Sequence, residues 1–232
     1  MQIVIRDVRI VDGSGAPVFA GDIGIHQGRF AYVGLSCPEP GETEIQGDGQ
    51  AAAPGFVDIH SHSDYYLLVN PLAESKVRQG VTTEIGGNCG YSAAPVYGKV
   101  REERVQVYRD LFGLDLPWES VGAYLSHLAR QGTSVNFGLL AGHNTVRSSV
   151  MYGSDQEPSS EEMARMVHLV RDAMHDGALG LSTGLIYPPG IYTPTGEIVA
   201  LARALAGRCG DSAFVASHIR GSSETLLPAV EE

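Results

Sequence analysis

Hydrophobic and polar residues alternate with a period of about two at the start of the chain. The alternation runs over residues 2–11, and two further alternating stretches flank Gln27-Gly28, a pair typical of a tight hairpin turn. Proline and glycine then cluster in residues 38–49, which indicates loops. We therefore predict a small N-terminal β-sheet domain over residues 1–52, with little core of its own, that packs against a later part of the chain.

From residue 53 onward, short apolar runs alternate with stretches of helical period. The predicted strands span residues 56–59, 81–85, 134–141, 178–182 and 213–217. The predicted helices span residues 72–79, 99–112, 119–130 and 161–176, with two more starting near Thr193 and Glu224. Strands that alternate with helices are typical of a parallel sheet built from βαβ units.

The helix predicted over residues 161–176 has the clearest pattern. Met163, Met166, Val167, Val170 and Met174 form one apolar stripe, so the methionines are interpreted as core residues rather than as ligands. Ser159 and Glu162 have the spacing of a capping box, and Gly177 follows the predicted end. Thr193 with Pro194 predicts the start of the next helix, which we expect to end near residues 207–210.

The fold class predicted from these elements is α/β. Residues 53–232 are expected to form the first part of a (β/α)8 TIM-type barrel, with about five βα units and the C-terminal part absent. An open doubly wound sheet is the alternative. Nucleotide binding has no support, because neither a G-x-G-x-x-G nor a Walker A pattern follows a strand.

Candidate chemistry begins where the apolar run of residues 56–59 ends. His60 and His62 are two apart, so on a strand both would project from the same side, close enough for one cation. The alternative is two ordinary histidines that bond to backbone or water. A glycine-rich turn holds Cys89, and His218 follows the fifth predicted strand. A thiolate together with imidazoles favours zinc over magnesium or calcium.

Other polar residues at the same predicted edge are less specific. His143 follows the third strand and either lines the pocket or is a satisfied structural histidine. Tyr187 lies on a loop and either donates to a developing oxyanion or covers the core. The two lysines, Lys76 and Lys99, do not fall at predicted strand ends, so no carboxylated-lysine bridge between metals is expected.

Composition and charge narrow the partners. The formal net charge of −11 argues against nucleic acid and anionic membrane surfaces. The charged N-terminus does not resemble a signal peptide, and no apolar run is long enough to span a membrane. Three cysteines without a secretion signal (Cys37, Cys89 and Cys209) are typical of a reducing compartment, so we expect a cytoplasmic protein.

Several segments together resemble the N-acyl-D-amino-acid deacylases (D-aminoacylases) of the metal-dependent amidohydrolase superfamily. The segment of residues 54–62, PGFVDIHSH, is typical of the superfamily as a whole. The segments of residues 87–90, GNCG, and 180–185, GLSTGL, resemble the deacylase branch, as do residues 217–220, SHIR. The similarity covers nearly the whole chain but only about the first half of such an enzyme.

The resemblance implies zinc-dependent hydrolysis of an N-acyl-D-amino acid to a carboxylate and a D-amino acid. By this match Cys89 and His218 would hold a tightly bound zinc, while His60 and His62 would form a weaker or partly occupied second site. Tyr187 would polarise the scissile carbonyl. His143 and Arg220 are candidates for substrate binding. The general acid and a further zinc histidine of the family have no counterpart in residues 1–232.

Besides the deacylase, two other functions are considered for the isolated chain, and its truncation leads to its own expectations. As a truncated barrel it would be inactive alone, and it would associate with itself or with the missing C-terminal half. A cyclic-amide hydrolase of the dihydroorotase or hydantoinase kind is the alternative enzyme, disfavoured because those enzymes usually need the modified lysine. The third reading is a non-catalytic fragment that binds metal.

Overall fold

The computed structural model describes residues 1–205 and 213–232. Cys209 and the predicted end of the helix that starts near Thr193 lie outside the described residues. The chain divides into two compact units, Met1–Gly55 and Phe56–Glu232. The sequence placed this boundary three residues earlier, between residues 52 and 53.

The N-terminal unit is a five-stranded sheet. Its strands are β1 (Ile3–Ile10), β2 (Phe19–His26), β3 (Arg29–Gly34), β4 (Thr43–Gln46) and β5 (Ala51–Ala52). The order is β3-β2-β1-β4, and β5 also pairs with β1. Neighbours β1, β2 and β3 are antiparallel, whereas β4 and β5 run parallel to β1. Strand β4 lies in the region predicted as loops, because its four exposed residues owe their strand conformation to the free edge of β1 rather than to an alternating pattern.

The hairpin predicted at Gln27-Gly28 is confirmed. Both residues have positive φ, at 50° and 70°, as a two-residue type I′ turn requires. The turn joins β2 to β3, and His26 pairs with Arg29 across it. The register of the sheet edge is therefore fixed locally by these two residues.

A buried carboxylate on β2 forms hydrogen bonds to β1 and to the segment that follows β3. Asp22 Oδ2 accepts the Cys37 N–H at 2.9 Å and an Arg6 N–H at 3.0 Å, and Oδ1 accepts the Asp7 N–H at 3.1 Å. Burial raises the pKa of the Asp22 carboxyl, but these donors outweigh it, so the pKa lies below its ordinary value.

In the described part of the second unit there are six parallel strand segments. They are β6 (Phe56–Asp58), β7 (Val81–Gly86), β8 (Asn136–Leu139), β9 (Ala141–Gly142), β10 (Gly180–Gly184) and β11 (Phe214–His218). They form two three-stranded sheets, β6-β7-β8 and β9-β10-β11. Leu140 alone separates β8 from β9, and its N–H donates to Gly86 O at 3.0 Å. The five predicted strands thus lie side by side in chain order, all parallel, with the third one divided.

Eight α-helices are found in the described part of the chain. They are α1 (Tyr66–Val69), α2 (Glu74–Val77), α3 (Gly98–Phe112), α4 (Val121–Gln131), α5 (His143–Met151), α6 (Ser160–His175), α7 (Thr195–Leu205) and α8 (Leu226–Glu231). Single 3₁₀ turns occur at Gly190–Tyr192 and Ser223–Thr225. The helix predicted over residues 72–79 is wrong in length: only α2 forms, because Ala73 before it is left-handed and Gly80 after it has φ 81°. Helix α5 was not predicted.

Helix α6 confirms the predicted capping box and core stripe. Ser159 and Glu162 bond reciprocally at its N-terminus, and Met166, Val170 and Met174 are buried in the main core. The predicted cap of α7 is wrong in detail. The helix begins at Thr195, and the buried Thr193 hydroxyl has no hydrogen-bond partner in the described chain.

Strand β6 was predicted as buried, and this is wrong. Phe56 and Val57 are 66% and 56% exposed. The reason is that β6 pairs only with β7, so within residues 1–205 and 213–232 it is an edge strand. Strand β11, at the other end of the series, pairs only with β10 and is likewise exposed at Phe214 and Val215.

Among the described helices, none combines the length and the apolar character needed to cross a membrane.

We expect Asp22→Asn to destabilise the N-terminal sheet by about 1–3 kcal/mol at neutral pH. Both carboxylate oxygens of Asp22 accept hydrogen bonds from N–H groups. Asparagine has only one acceptor oxygen, so its NH₂ group would face an N–H donor and at least one of these bonds would be lost. Hydrogen exchange of the β1 and β2 amides measures the effect, and the exposed Asp48→Asn is the control.

The same stabilisation has a defined pH dependence. Because the folded-state pKa of Asp22 lies below its ordinary value, the contribution is fully present above about pH 4 and is lost as the pH falls through the folded-state pKa. The difference in stability of the N-terminal sheet between wild type and Asp22→Asn should therefore become smaller as the pH is lowered. A difference that persists unchanged in acid would contradict this account.

Candidate metal centre

His60 and His62 follow strand β6 rather than lying on it. The strand ends at Asp58, so the simple argument from alternating strand side chains does not apply. The two rings nevertheless lie together, with centroids 5.4 Å apart and planes at 72°. Both side chains are exposed. The two side chains are therefore neighbours, although the backbone that brings them together is not extended strand.

Cys89 joins this pair from the loop after β7. Its Sγ lies 3.3 Å from His60 Nε2. One ligand atom from each of His60, His62 and Cys89 falls within 4.8 Å of the others. Cys89 has φ 54°, a left-handed conformation that is uncommon for a residue with a side chain and that concentrates at functional sites.

His218 also lies close to this sulfur. It is the last residue of β11, and its Nδ1 lies 3.6 Å from Cys89 Sγ. The Tyr187 hydroxyl lies 3.4 Å from the same nitrogen, and the two rings are 4.9 Å apart between centroids. The three predicted histidine ligands therefore lie near the Cys89 thiol, with a phenol beside His218.

This donor set fits a zinc ion. Burial raises the pKa of the Cys89 thiol. A coordinated divalent cation would reverse that effect, because a coordinating thiol is deprotonated. Three imidazoles around one sulfur are soft and borderline ligands, and the combination suits zinc far better than magnesium or calcium.

Two buried side chains hold the Cys89 loop. Asp64 accepts the Gly87 and Ala93 N–H groups, each at 3.0 Å, and its own carbonyl accepts the Tyr124 hydroxyl. Ser182 on β10 accepts the Gly90 N–H at 3.0 Å and donates to the Gly87 carbonyl. Desolvation raises the pKa of Asp64, and the two N–H donors oppose that shift.

The loop also packs backbone to backbone against β10. A Cβ at Gly184 would lie 2.0 Å from the Cys89 carbonyl oxygen. A Cβ at Gly90 would lie 2.7 Å from Asn144 Oδ1 and 2.8 Å from Gly184 N. Glycine at these positions is therefore required for the cysteine to approach the strand that lies between it and His218.

The two predicted substrate-binding residues have their polar groups bonded to other groups of the protein. His143 is fully buried at the start of α5, with Nδ1 3.0 Å from Asn144 Oδ1 and Nε2 2.8 Å from Glu197 Oε1. This favours the structural histidine, one of the two interpretations that the sequence left open. Arg220 donates to both carboxylate oxygens of Glu232 and to the carbonyls of Ile191 and Thr193.

Sequence reasoning missed three polar residues that support the site. Glu84, Asp64 and Ser182 are all buried. One signal was available: Glu84 is a carboxylate inside an otherwise β-branched strand, a position where charge is costly unless it is paired. No comparable signal marked Asp64 or Ser182.

Comparison with known proteins identifies the family. The profile of the amidohydrolase family matches residues 44–222. The chain belongs to this family. Among curated amidohydrolases, N-acyl-D-aspartate deacylase of Alcaligenes xylosoxydans xylosoxydans is 37% identical over 235 residues, covering 100% of this chain and 46% of that protein. D-aminoacylase of the same organism is 34% identical, covering 96% and 45%. The predicted resemblance is thereby confirmed.

Solved amidohydrolase structures agree. N-acyl-D-glutamate deacylase from Bordetella bronchiseptica, complexed with zinc and a phosphonate that mimics the tetrahedral intermediate, matches with a TM-score of 0.89 and 33% identity, over 99% of this chain and 47% of that one. A D-aminoacylase structure matches with a TM-score of 0.87, 31% identity and 48% coverage of its chain. L-hydantoinase from Arthrobacter aurescens, at 18% identity and a TM-score of 0.59, shows the shared fold alone. This amidohydrolase chain spans about half the length of these relatives.

We expect Gly90→Ala to destabilise the amidohydrolase chain by at least about 1 kcal/mol more than Gly113→Ala does. Both glycines have positive φ, at 77° and 66°, so both variants carry the left-handed strain of about 1–2 kcal/mol. Only Gly90 has atoms where the new Cβ would lie. Urea unfolding of the two variants measures the difference. An equal decrease in the free energy of unfolding would show that the loop accommodates the new Cβ without destabilising the protein.

Proposed function

We propose that this chain is the N-terminal part of a zinc-dependent deacylase that hydrolyses N-acyl-D-amino acids to a carboxylate and a D-amino acid. The observation that carries the proposal is the convergence of His60, His62 and His218 on the thiol of Cys89. The named activities of the relatives, which act on N-acyl-D-amino acids, supply the substrate class. On this proposal the parallel strands of the second unit are the first part of a (β/α)8 barrel.

We propose one tight metal site and a second, weaker one, both using the Cys89 thiolate. Cys89 Sγ lies 3.3 Å from His60 Nε2 and 3.6 Å from His218 Nδ1. A thiolate in that position can serve both sites. A structure of D-aminoacylase concerns a binuclear metal centre in which one metal activates and a second attenuates. We assign Cys89 and His218 to the tight site and His60 with His62 to the weaker one.

The proposed chemistry assigns separate roles to the bound zinc, the Tyr187 phenol and the glycine-rich loop. Zinc, when bound, lowers the pKa of a coordinated water toward neutrality and so supplies a nucleophile for the acyl carbon. The Tyr187 phenol, 38% exposed and beside His218, would donate a hydrogen bond to the oxygen on which negative charge develops. The glycine-rich loop keeps the thiol fixed, so the donors need no rearrangement during the reaction.

Metal content tests the proposed centre directly. We expect purified wild-type protein to carry zinc at near-stoichiometric levels and Cys89→Ala to lose most of it, because the shared thiolate is gone. Cys37→Ala is the matched control: this cysteine is also buried, but it belongs to the N-terminal sheet. Zinc retained in Cys89→Ala, or lost equally in both variants, would remove the basis of the proposal.

Tyr187→Phe tests the role of the phenol. In a protein of the relatives' length that contains this chain, we expect kcat on N-acetyl-D-amino acids to fall about 10²–10³-fold with a small change in KM, because a donor to the developing oxyanion is lost. Tyr192→Phe, exposed on the neighbouring 3₁₀ turn, should be near wild type. Assays with hydantoins and N-acetyl-L-amino acids would reveal a different substrate class if either is turned over faster.

A further inference from the structure

The histidine pair lies in a segment that regular sheet bonding does not hold. Strand β6 ends at Asp58. In the described chain, the backbone bond found for this segment runs from the Ser61 N–H to the Ile85 carbonyl, at 3.0 Å. The directions in which His60 and His62 point therefore depend on contacts made by side chains.

Two carboxylates supply several of these contacts, and the Asn88 amide supplies others. Asp58 Oδ1 accepts the His60 N–H at 3.1 Å. Glu84 Oε1 lies 2.8 Å from Ser61 Oγ and 2.9 Å from Ser63 Oγ, so it bonds to the residues on either side of the second histidine. The two acids are opposite each other in the register of β6 and β7. Together they fix the backbone and the flanking hydroxyls of the ligand segment.

A single lysine holds the two carboxylates together. Lys76 Nζ on α2 lies 2.7 Å from Asp58 Oδ2 and 2.8 Å from Glu84 Oε1. The Glu84 side chain is 0% exposed, so its charge needs a partner within the protein. The bond to Lys76 lowers the pKa of Asp58, and the bonds to both acids raise the pKa of Lys76.

We propose that Lys76 is a positioning residue for the metal centre: through Asp58 and Glu84 it fixes the segment that presents His60 and His62. The inference rests on the proposed zinc site but assigns a role to a residue outside the ligand set. Without the lysine, two adjacent carboxylates would repel each other, and one of them would be a buried, uncompensated charge. The acids would then separate, which shifts their bonds to the histidine segment.

An ion pair that only stabilises the fold predicts a different result. It would lower the unfolding temperature and leave the ligand geometry of the remaining folded protein unchanged. A positioning role changes metal affinity and the local protection of the His60 amide. These two readouts separate the explanations, because neither follows from global stability alone.

The experiment compares Lys76→Met with Lys99→Met. Lys99, the other lysine of the chain, is exposed on α3, with its Nζ 4.1 Å from the centroid of the Tyr152 ring. Zinc affinity is measured by competition with a chromophoric chelator, and hydrogen exchange of the His60 amide is measured in metal-free protein. Lys76→Gln, which keeps donors without the charge, replaces Lys76→Met if that variant does not fold.

We expect Lys76→Met to bind zinc about 10–100-fold more weakly, as is usual when a group that orients metal ligands is lost, and to exchange the His60 amide faster. Lys99→Met should match wild type in both respects. Affinity and exchange equal to the Lys99→Met control, even with a lowered unfolding temperature, would overturn the inference.

Failure of the proposed function gives a separate signature. If wild-type protein binds no zinc, the proposed metal site is wrong, and the exchange of the His60 amide alone decides the role of Lys76. Faster exchange in Lys76→Met then supports positioning of the segment, and unchanged exchange overturns it.

Discussion

The close approach of the Cys89 loop to strand β10 is the constraint on which the rest of the site depends. A left-handed cysteine carries strain, and it persists only where its surroundings over-determine it. Here the surroundings are the backbone of β10 and one hydroxyl: the Cys89 carbonyl lies against Gly184, and the Ser182 hydroxyl bonds to Gly87 and Gly90 of the loop. These contacts hold the thiol close to the imidazoles of His60 and His218.

A second theme is the use of charge inside the sheet. Asp58 and Glu84 are adjacent acids on neighbouring strands, an arrangement that is unfavourable unless a cation joins them. Lys76 is that cation. The acids in turn hold the chain just beyond the strand end, where the sheet no longer dictates direction. The sheet thus positions Cys89 and His218 through backbone packing, and it positions the histidine pair through ionic contacts.

Much of the fold and of the candidate site could be predicted from the sequence, and the predictions that were wrong or missing have physical causes. The parallel order of strands and the stripe of α6 follow from periodicity, because period and burial are coupled along a regular element. The four candidate ligands could be selected from the sequence because they combine metal-binding chemistry with strand ends. The exposure of β6 could not be predicted, since an apolar run does not reveal whether both of its edges are paired. The side chains of Asp64 and Ser182 bond to backbone groups that are distant in sequence, and no local sequence pattern indicates such contacts.

The separation of the ligands along the chain has a consequence for folding. Cys89 and His218 are 129 residues apart, and they come from the second and fifth of five strands laid down in order. Contacts of such high sequence separation form late, because a large loop must be closed first. A cation held by both residues would therefore act as a cross-link between distant parts of the unit, so the ion used for chemistry would also restrain the chain from coming apart.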